Sequence, residues 1–220
     1  MAKMPGILDE AHFDDAVRLV QTYFGIAPGS TRHEGVSFET IGARWDEPSA
    51  ANEVTPADLI SLATLSVEVK GAAAIALLGA GLRPQISDLL GQIPLGLSLA
   101  DPEAADILNA DSHASRLWDL VRTAPKFGPT RTSKLLARKR PLLLPIYDSV
   151  IRAQLGLKDS RGHWVLMHDL VTRDGGALYE RAERIRETVG LDSTVTPLRI
   201  IDIVLWRHGK DLELKAKSDA

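Results

Sequence analysis

Apolar positions recur along most of this chain with helical spacing. Phe13, Val17, Val20 and Phe24 fall at i, i+4, i+7 and i+11, with Ala16, Leu19 and Tyr23 widening the same face. Gly25 and Pro28 close the pattern, which predicts a first helix over Glu10 to Phe24. From Ala27 to Asn52 the periodicity lapses into Gly, Ser, Thr and Pro with scattered aromatics, the mark of a long connection or a short β-hairpin. Thr55-Pro56-Ala57-Asp58 then supplies an N-cap, a proline in the first helical position and an acid in the first turn, ahead of Leu59, Ile60, Leu62 and Leu65. That helix is expected to reach about Ser66. Further helices follow over Lys70 to Gly79, Gln85 to Gln92, after Asp101 and Asp111, and over Gly162 to Val171, Ala177 to Val189 and Pro197 to Arg207. Strand-like alternation is scarce and no 20–50-residue repeat is visible. The expected class is all-α: one compact multi-helix domain over residues 1–210 and a polar tail over 211–220.

Composition removes whole classes of chemistry. The 220 residues are 45% hydrophobic and 25% charged, the balance of a chain that folds. There is no cysteine, so disulfides, thiolate-ligated zinc, cysteine-held iron–sulfur clusters and cysteine nucleophiles are excluded. No run approaches the roughly 18 uninterrupted apolar residues of a membrane span, and the opening Met-Ala-Lys-Met-Pro-Gly lacks a long apolar core, so the expected location is the cytoplasm with no membrane partner. His163 and His168 are five apart, off the i, i+4 spacing of a helical metal pair, and no phosphate-binding P-loop, dinucleotide glycine fingerprint or Gly-x-Ser-x-Gly elbow occurs. Neither a metal nor a cofactor is expected.

Charge is unevenly placed. The net charge is −3, but residues 116–152 hold nine Lys/Arg against Asp119 and Asp148, so that segment carries +7 and the remainder −10. It reads as helix, tight turn, helix, connection, helix. Gly128 can accept an unusual backbone conformation at the turn, and Pro129 suits the first position of the second helix, whose free N–H groups can hold a phosphate. Arg131, Lys134 and Arg138 lie at i, i+3 and i+7 as one basic stripe, while Leu135 and Leu136 turn toward the core. The stripe has two readings: a solvated helix face, or a surface for nucleic acid.

Two resemblances bear on that choice. Pro125-Lys-Phe-Gly128 followed by a helix resembles the Leu-Pro-Gly-Val-Gly turn of helix-hairpin-helix DNA-binding proteins. The downstream Arg140-Pro-Leu-Leu-Leu-Pro-Ile-Tyr-Asp148 resembles the segment of the helix-hairpin-helix base-excision glycosylases that leads to the catalytic aspartate. Over these roughly 35 residues the resemblance implies that main-chain amides of the turn bind a DNA phosphate, with Gly128 in the place of the turn's second glycine; together with the basic stripe this makes Lys126, Gly128, Thr130, Arg131, Lys134 and Arg138 the candidate nucleic-acid contacts. It also implies that Asp148 stabilises charge developing on the deoxyribose, or positions the nucleophile, once a base is flipped out. Three departures stand against it. Lys126 occupies the place of the first glycine, Tyr147 is an extra residue before the aspartate, and Thr130 and Arg131 stand where bifunctional members carry their lysine nucleophile. The chain as a whole is also similar to a bacterial family of unknown function containing a Lys-Leu-Leu-Ala-Arg-Lys-Arg-Pro stretch.

Each candidate has a second reading. Asp148 before Ser-Val-Ile-Arg is also a good helix N-cap. Tyr147 and Trp118 can stack on a base or sit in a core. Arg32 to Glu34, Glu39 and Arg44 to Glu47 form a polar loop that either closes over a site or lies on the surface. Arg199, Asp202 and Trp206 share a helix face on which an ion pair and a packed indole suffice. The leading expectation is a DNA-binding protein, with a role in DNA repair. The alternatives are a monofunctional DNA glycosylase using Asp148, and a non-catalytic interaction or regulatory module whose basic segment meets an acidic partner or a second copy.

Overall fold

A computed structural model gives the architecture of residues 4–219. The helices are α1 (Phe13–Phe24), α2 (Pro56–Thr64), α3 (Gly71–Leu78), α4 (Arg83–Gly91), α5 (Ala104–Ile107), α6 (His113–Arg122), α7 (Pro129–Lys139), α8 (Ser149–Gln154), α9 (His163–Thr172), α10 (Ala177–Val189) and α11 (Pro197–Ser218), with short 3-10 turns between some of them. No strand occurs among the described residues, and no helix there is long and apolar enough to cross a membrane. The class is all-α, as the hydrophobic spacing predicts. Part of the opening hexapeptide, residues 1–3, and the last tail residue, Ala220, lie outside the described residues.

The chain divides into two compact units. The first is formed by both ends, Met1–His33 with Pro145–Ala220, and the second by Glu34–Leu144. In the first unit α11 is central, packed by α1, α8 and α10. Over Pro197–Leu205 every residue is buried, and Leu198, Ile200, Ile201, Ile203, Val204 and Leu205 fill the core. Thr196 caps its N-terminus by accepting from the Arg199 amide, and Pro197 occupies the first position. Gly209 sets how closely α8 can approach, because a Cβ there would stand 2.5 Å from Val150 Cγ1. α1 contributes Ala16, Val17, Val20 and Tyr23, and ends where Gly25 turns left-handed (φ +69°), its amide returning to the Thr22 and Gln21 carbonyls. The expected polar tail is instead a continuation of α11 to Ser218. Arg207–Asp211 (3.0 Å) and Lys210–Glu213 (2.8 Å) pair along it at helical spacing.

In the second unit α7 is flanked by α2 and α6, and α4 packs on α6. The helix start at Thr55 forms a reciprocal capping box: Thr55 Oγ1 accepts from the Asp58 amide at 3.2 Å, and Asp58 Oδ2 accepts from the Thr55 amide at 2.9 Å. The stretch over residues 27–52 is the expected long connection and not a hairpin; its regular structure is one 3-10 turn, Glu34–Ser37. The reason lies in its carbonyls. Those of Phe38, Ile41, Ala43, Ala50 and Ala51 accept from basic side chains of residues 138–140, so they are satisfied without a partner strand.

Candidate nucleic-acid interface

The turn between α6 and α7 begins where the α6 ladder runs out, with the Ala124 amide on the Val121 carbonyl (3.1 Å) and the Phe127 amide on the Ala124 carbonyl (3.0 Å). Phe127 is buried and pins the turn to the core. The unusual backbone expected at Gly128 is found two residues earlier. Lys126 is left-handed, at φ +58°, while Gly128 is extended (φ −78°, ψ −178°) with nothing within 4 Å of a Cβ placed on it. Lys126 thus holds a conformation that ordinarily favours glycine. Gly128 is the N-cap of α7 and Pro129 its first residue; no side chain caps the helix, so the Thr130 and Arg131 amides lack intrahelical acceptors. Lys126 is exposed, and Gly128, Thr130 and Arg131 are half-exposed. Arg116 and Arg122 of α6 are exposed as well.

The stripe along α7 does not run along a surface. Arg131 donates through Nε to the Glu68 carbonyl (2.9 Å) and through Nη1 to the Lys126 carbonyl (3.2 Å). Lys134 and Arg138 are only 6% and 4% exposed. Lys134 Nζ donates to the Leu65 carbonyl at 3.0 Å. Arg138 donates to Asp58 Oδ1 (3.3 Å) and to the carbonyls of Phe38 (2.5 Å), Ile41 and Ala43 (3.3 Å). Of the readings open for the stripe, the solvated face is absent, and a polyanion would find Lys134 and Arg138 already enclosed. The two cations that follow go deeper still. Lys139 Nζ donates to Asp58 Oδ2 at 3.0 Å and to the Ala50 carbonyl at 2.6 Å. Arg140 donates to the carbonyls of Ile93, Ala51, Lys139 and Leu90 and to Asn52 Oδ1. Burial pushes the Lys139 ammonium below its usual range, with Asp58 opposing, and brings the Arg140 guanidinium down to about 10.

Asp58, Lys139 and Arg140 are therefore the principal polar residues of this unit that the hydrophobic pattern does not single out. One signal was present. Two leucines, an alanine and four cations within seven residues, with no acid nearby in sequence, need acceptors from elsewhere if that stretch is enclosed.

Asp148 belongs to the first unit and the α6–α7 turn to the second. Its carboxylate is the N-cap of α8: Oδ1 accepts from the Val150 and Ile151 amides, both at 2.9 Å, and the residue is buried. Tyr147 is buried too, its ring 5.3 Å from that of His163 in an edge-on contact, and burial raises its phenol. His163 is enclosed, with Nε2 lacking a hydrogen-bond partner, and burial takes its imidazole down to about 3. Trp118 is half-buried on α6. Arg199 pairs with Asp202 one turn along α11 and donates to the Tyr23 hydroxyl at 2.8 Å, while His33 stacks on Tyr23 (4.7 Å between ring centres) and meets Trp206 edge-on (5.0 Å).

No curated protein and no solved structure matches the chain. A family model does match, over residues 16–209, from α1 to the Gly209 crossing on α11. The chain belongs to the family of unknown function DUF6308.

Proposed function

We propose that this chain binds DNA by its phosphate backbone at the α6–α7 turn, without regard to base sequence. The observation that carries the reading is the turn itself. Lys126 holds the left-handed position, and α7 begins uncapped with the Thr130 and Arg131 amides directed out of the helix. An uncapped helix start beside an exposed ammonium favours an anion through both its N–H groups and the helix dipole. Arg116 and Arg122 extend the positive charge along α6. Lys134 and Arg138 take no part in this narrower grip, since their donors already serve the interior. Asp148 enters this reading as the cap of α8.

The small number of exposed cations sets the expected strength. With about three phosphates contacted, the logarithm of the association constant falls with the logarithm of salt at a slope near −3, and binding at physiological salt is weak, in the range of non-specific complexes. Fluorescence anisotropy of a labelled duplex across a salt series tests this. Binding with that slope, shallower by about 0.9 in Lys126→Ala, is the expected result. No binding at low salt, or binding to an acidic polypeptide with no preference for DNA, would replace the reading with a protein-interaction module.

A further inference from the structure

We infer that α3 is a contact surface for a second copy of this chain, the two α3 helices lying antiparallel about a twofold axis near Ile75. From Gly71 to Leu82 twelve residues carry no charged or polar side chain. A helix that is apolar all round is ordinarily enclosed. This one buries only Ala73 and Leu77, against its neighbours α2 and α4. Ala72 is exposed, Leu78 is half-buried, and Ile75 is 76% exposed. Leu78 lines a groove of about 500 Å³ that Pro56, at the start of α2, lines as well, and Ile60, one turn further along α2, is 60% exposed. Exposed aliphatic side chains thus stand on both helices, the mark of a surface that something else covers.

The order of size and charge along α3 identifies the occupant. A twofold contact requires one surface to be its own complement, and an uncharged face meets itself without like-charge repulsion. With the axis at Ile75, Leu78 faces the partner's Ala72 and Gly79 faces the partner's Gly71, so large meets small on both sides. The two ends are complementary as well. Glu68 and Lys70, both exposed, precede the helix, and the exposed Arg83 lies past its other end, paired with Glu53 at 2.6 Å. Antiparallel placement brings Glu68 to the partner's Arg83. It brings Lys70 to the partner's Ala80, beside which Glu53 and Asp88 line a second opening. A parallel placement would set Lys70 against Lys70 and Arg83 against Arg83, whereas antiparallel helices also join opposite dipole ends. The contact is one short helix and its flanks from each copy, which places the dimer in the weak, concentration-dependent class.

Sedimentation equilibrium of the full chain over a wide concentration range tests this, with thermal melting to establish that each variant keeps its fold. The unaltered chain is expected to pass from one chain mass to twice that mass as concentration rises. Ile75→Asp, at an exposed position, sets two carboxylates together at the axis and is expected to weaken association about a hundredfold. Glu68→Arg and Arg83→Glu each place like charges at both ends of the pairing, and each is expected to weaken it about tenfold. An equimolar mixture of those two variants is expected to restore it, because every end then joins opposite charges. A single chain mass persisting at concentrations on the order of 1 mM, the weak end of specific affinities, overturns the inference. So does an Ile75→Asp variant that dimerises like the unaltered chain, or a pair of charge variants that associate no better mixed than alone.

Discussion

Helices α7 and α11 are each enclosed by their own unit, but through opposite chemistry. The enclosed part of α11 is an apolar cylinder whose main charged pair, Arg199 and Asp202, lies within the helix at i, i+3. The enclosed part of α7 presents Lys134, Arg138 and Lys139, and Arg140 directly after it, to backbone carbonyls 47 to 100 residues away, with Asp58 as the carboxylate that meets two of them. Burial of α11 is driven by area removed from water, which is non-directional. Burial of α7 is directional: each donor fixes one carbonyl of an otherwise irregular segment. The first arrangement supplies most of its stability through packing; the second specifies where a long connection lies. Breaking a buried charged contact strands its partners, so the two helices should respond very differently to equally sized substitutions.

The largest contrast is expected between Arg140→Met and Ile203→Val. Methionine keeps much of the arginine's length and removes all its donors, leaving the carbonyls of Leu90, Ile93 and Ala51 and the Asn52 side chain without it. The expected loss is about 4 kcal/mol, by the cost of deserting several buried acceptors at once. Ile203→Val in the α11 core should cost about 1 kcal/mol. Urea denaturation at neutral pH measures both. Equal losses would mean that Arg140 acts by volume, like a core aliphatic, and the contrast between the helices would collapse.

A second contrast comes from acid. His163, in the first unit, has its imidazole held down at about 3 by burial, against an ordinary value of 6.5. Because the folded state binds this proton later than the unfolded one, the stability contributed by the neutral ring is complete above pH 6.5 and is lost as pH falls from 6.5 toward 3. The ceiling is about 5 kcal/mol, and about 3 is expected once water enters the site. Arg140, brought down only to about 10, stays protonated throughout that window and contributes nothing to the slope. Denaturant titrations at several pH values should show His163→Phe losing less stability than the unaltered chain between pH 6.5 and 4. Parallel curves would mean that another group governs the acid response.

Backbone geometry gives a smaller effect. Gly25, at φ +69°, faces Arg32, whose backbone nitrogen would stand 2.8 Å from an added Cβ, so Gly25→Ala combines a strained dihedral with a collision against main chain. A loss of about 2 kcal/mol in thermal melting is expected, and a neutral result would show that the segment after α1 can move aside at little cost.

Much of this architecture was legible beforehand because local chemistry and periodicity agreed. Thr55-Pro56 with Asp58, Pro129 after Gly128, and Thr196-Pro197 each begin a helix at the place their chemistry requires. The interior of α7 was not legible. A periodic reading assigns charged positions to solvent, and for Lys134 and Arg138 that inference fails because their acceptors are carbonyls from segments remote in sequence. Nothing in the spacing of residues 38–52 marks which carbonyls will need donors. The extension of α11 beyond Arg207 was hidden for a related reason. Beyond Gly209 it has no buried face, Leu212 and Leu214 being exposed, and i, i+3 and i+4 ion pairs run along it. At the candidate site, Asp148 met its capping reading in full.

The smallest predicted effects separate two accounts of the α6–α7 turn. If the glycine is what allows the chain to turn, Gly128→Ala should be costly. Its φ of −78° is ordinary and an added Cβ meets nothing within 4 Å, so the expected loss is about 0.5 kcal/mol, the difference between glycine and alanine at an N-cap. Lys126 occupies the strained position, and Lys126→Gly should leave stability unchanged or raise it by up to about 1 kcal/mol, because glycine removes the Cβ penalty while giving back some of the gain as freedom in the unfolded chain. The same substitution removes the exposed ammonium and should weaken DNA binding. A stability gain accompanied by a loss of affinity would mark Lys126 as a residue held in a costly conformation for its charge. If Lys126→Gly instead lowered both, the left-handed turn would depend on contacts along the lysine stem, and the glycine-like conformation at this position would be a consequence of packing alone.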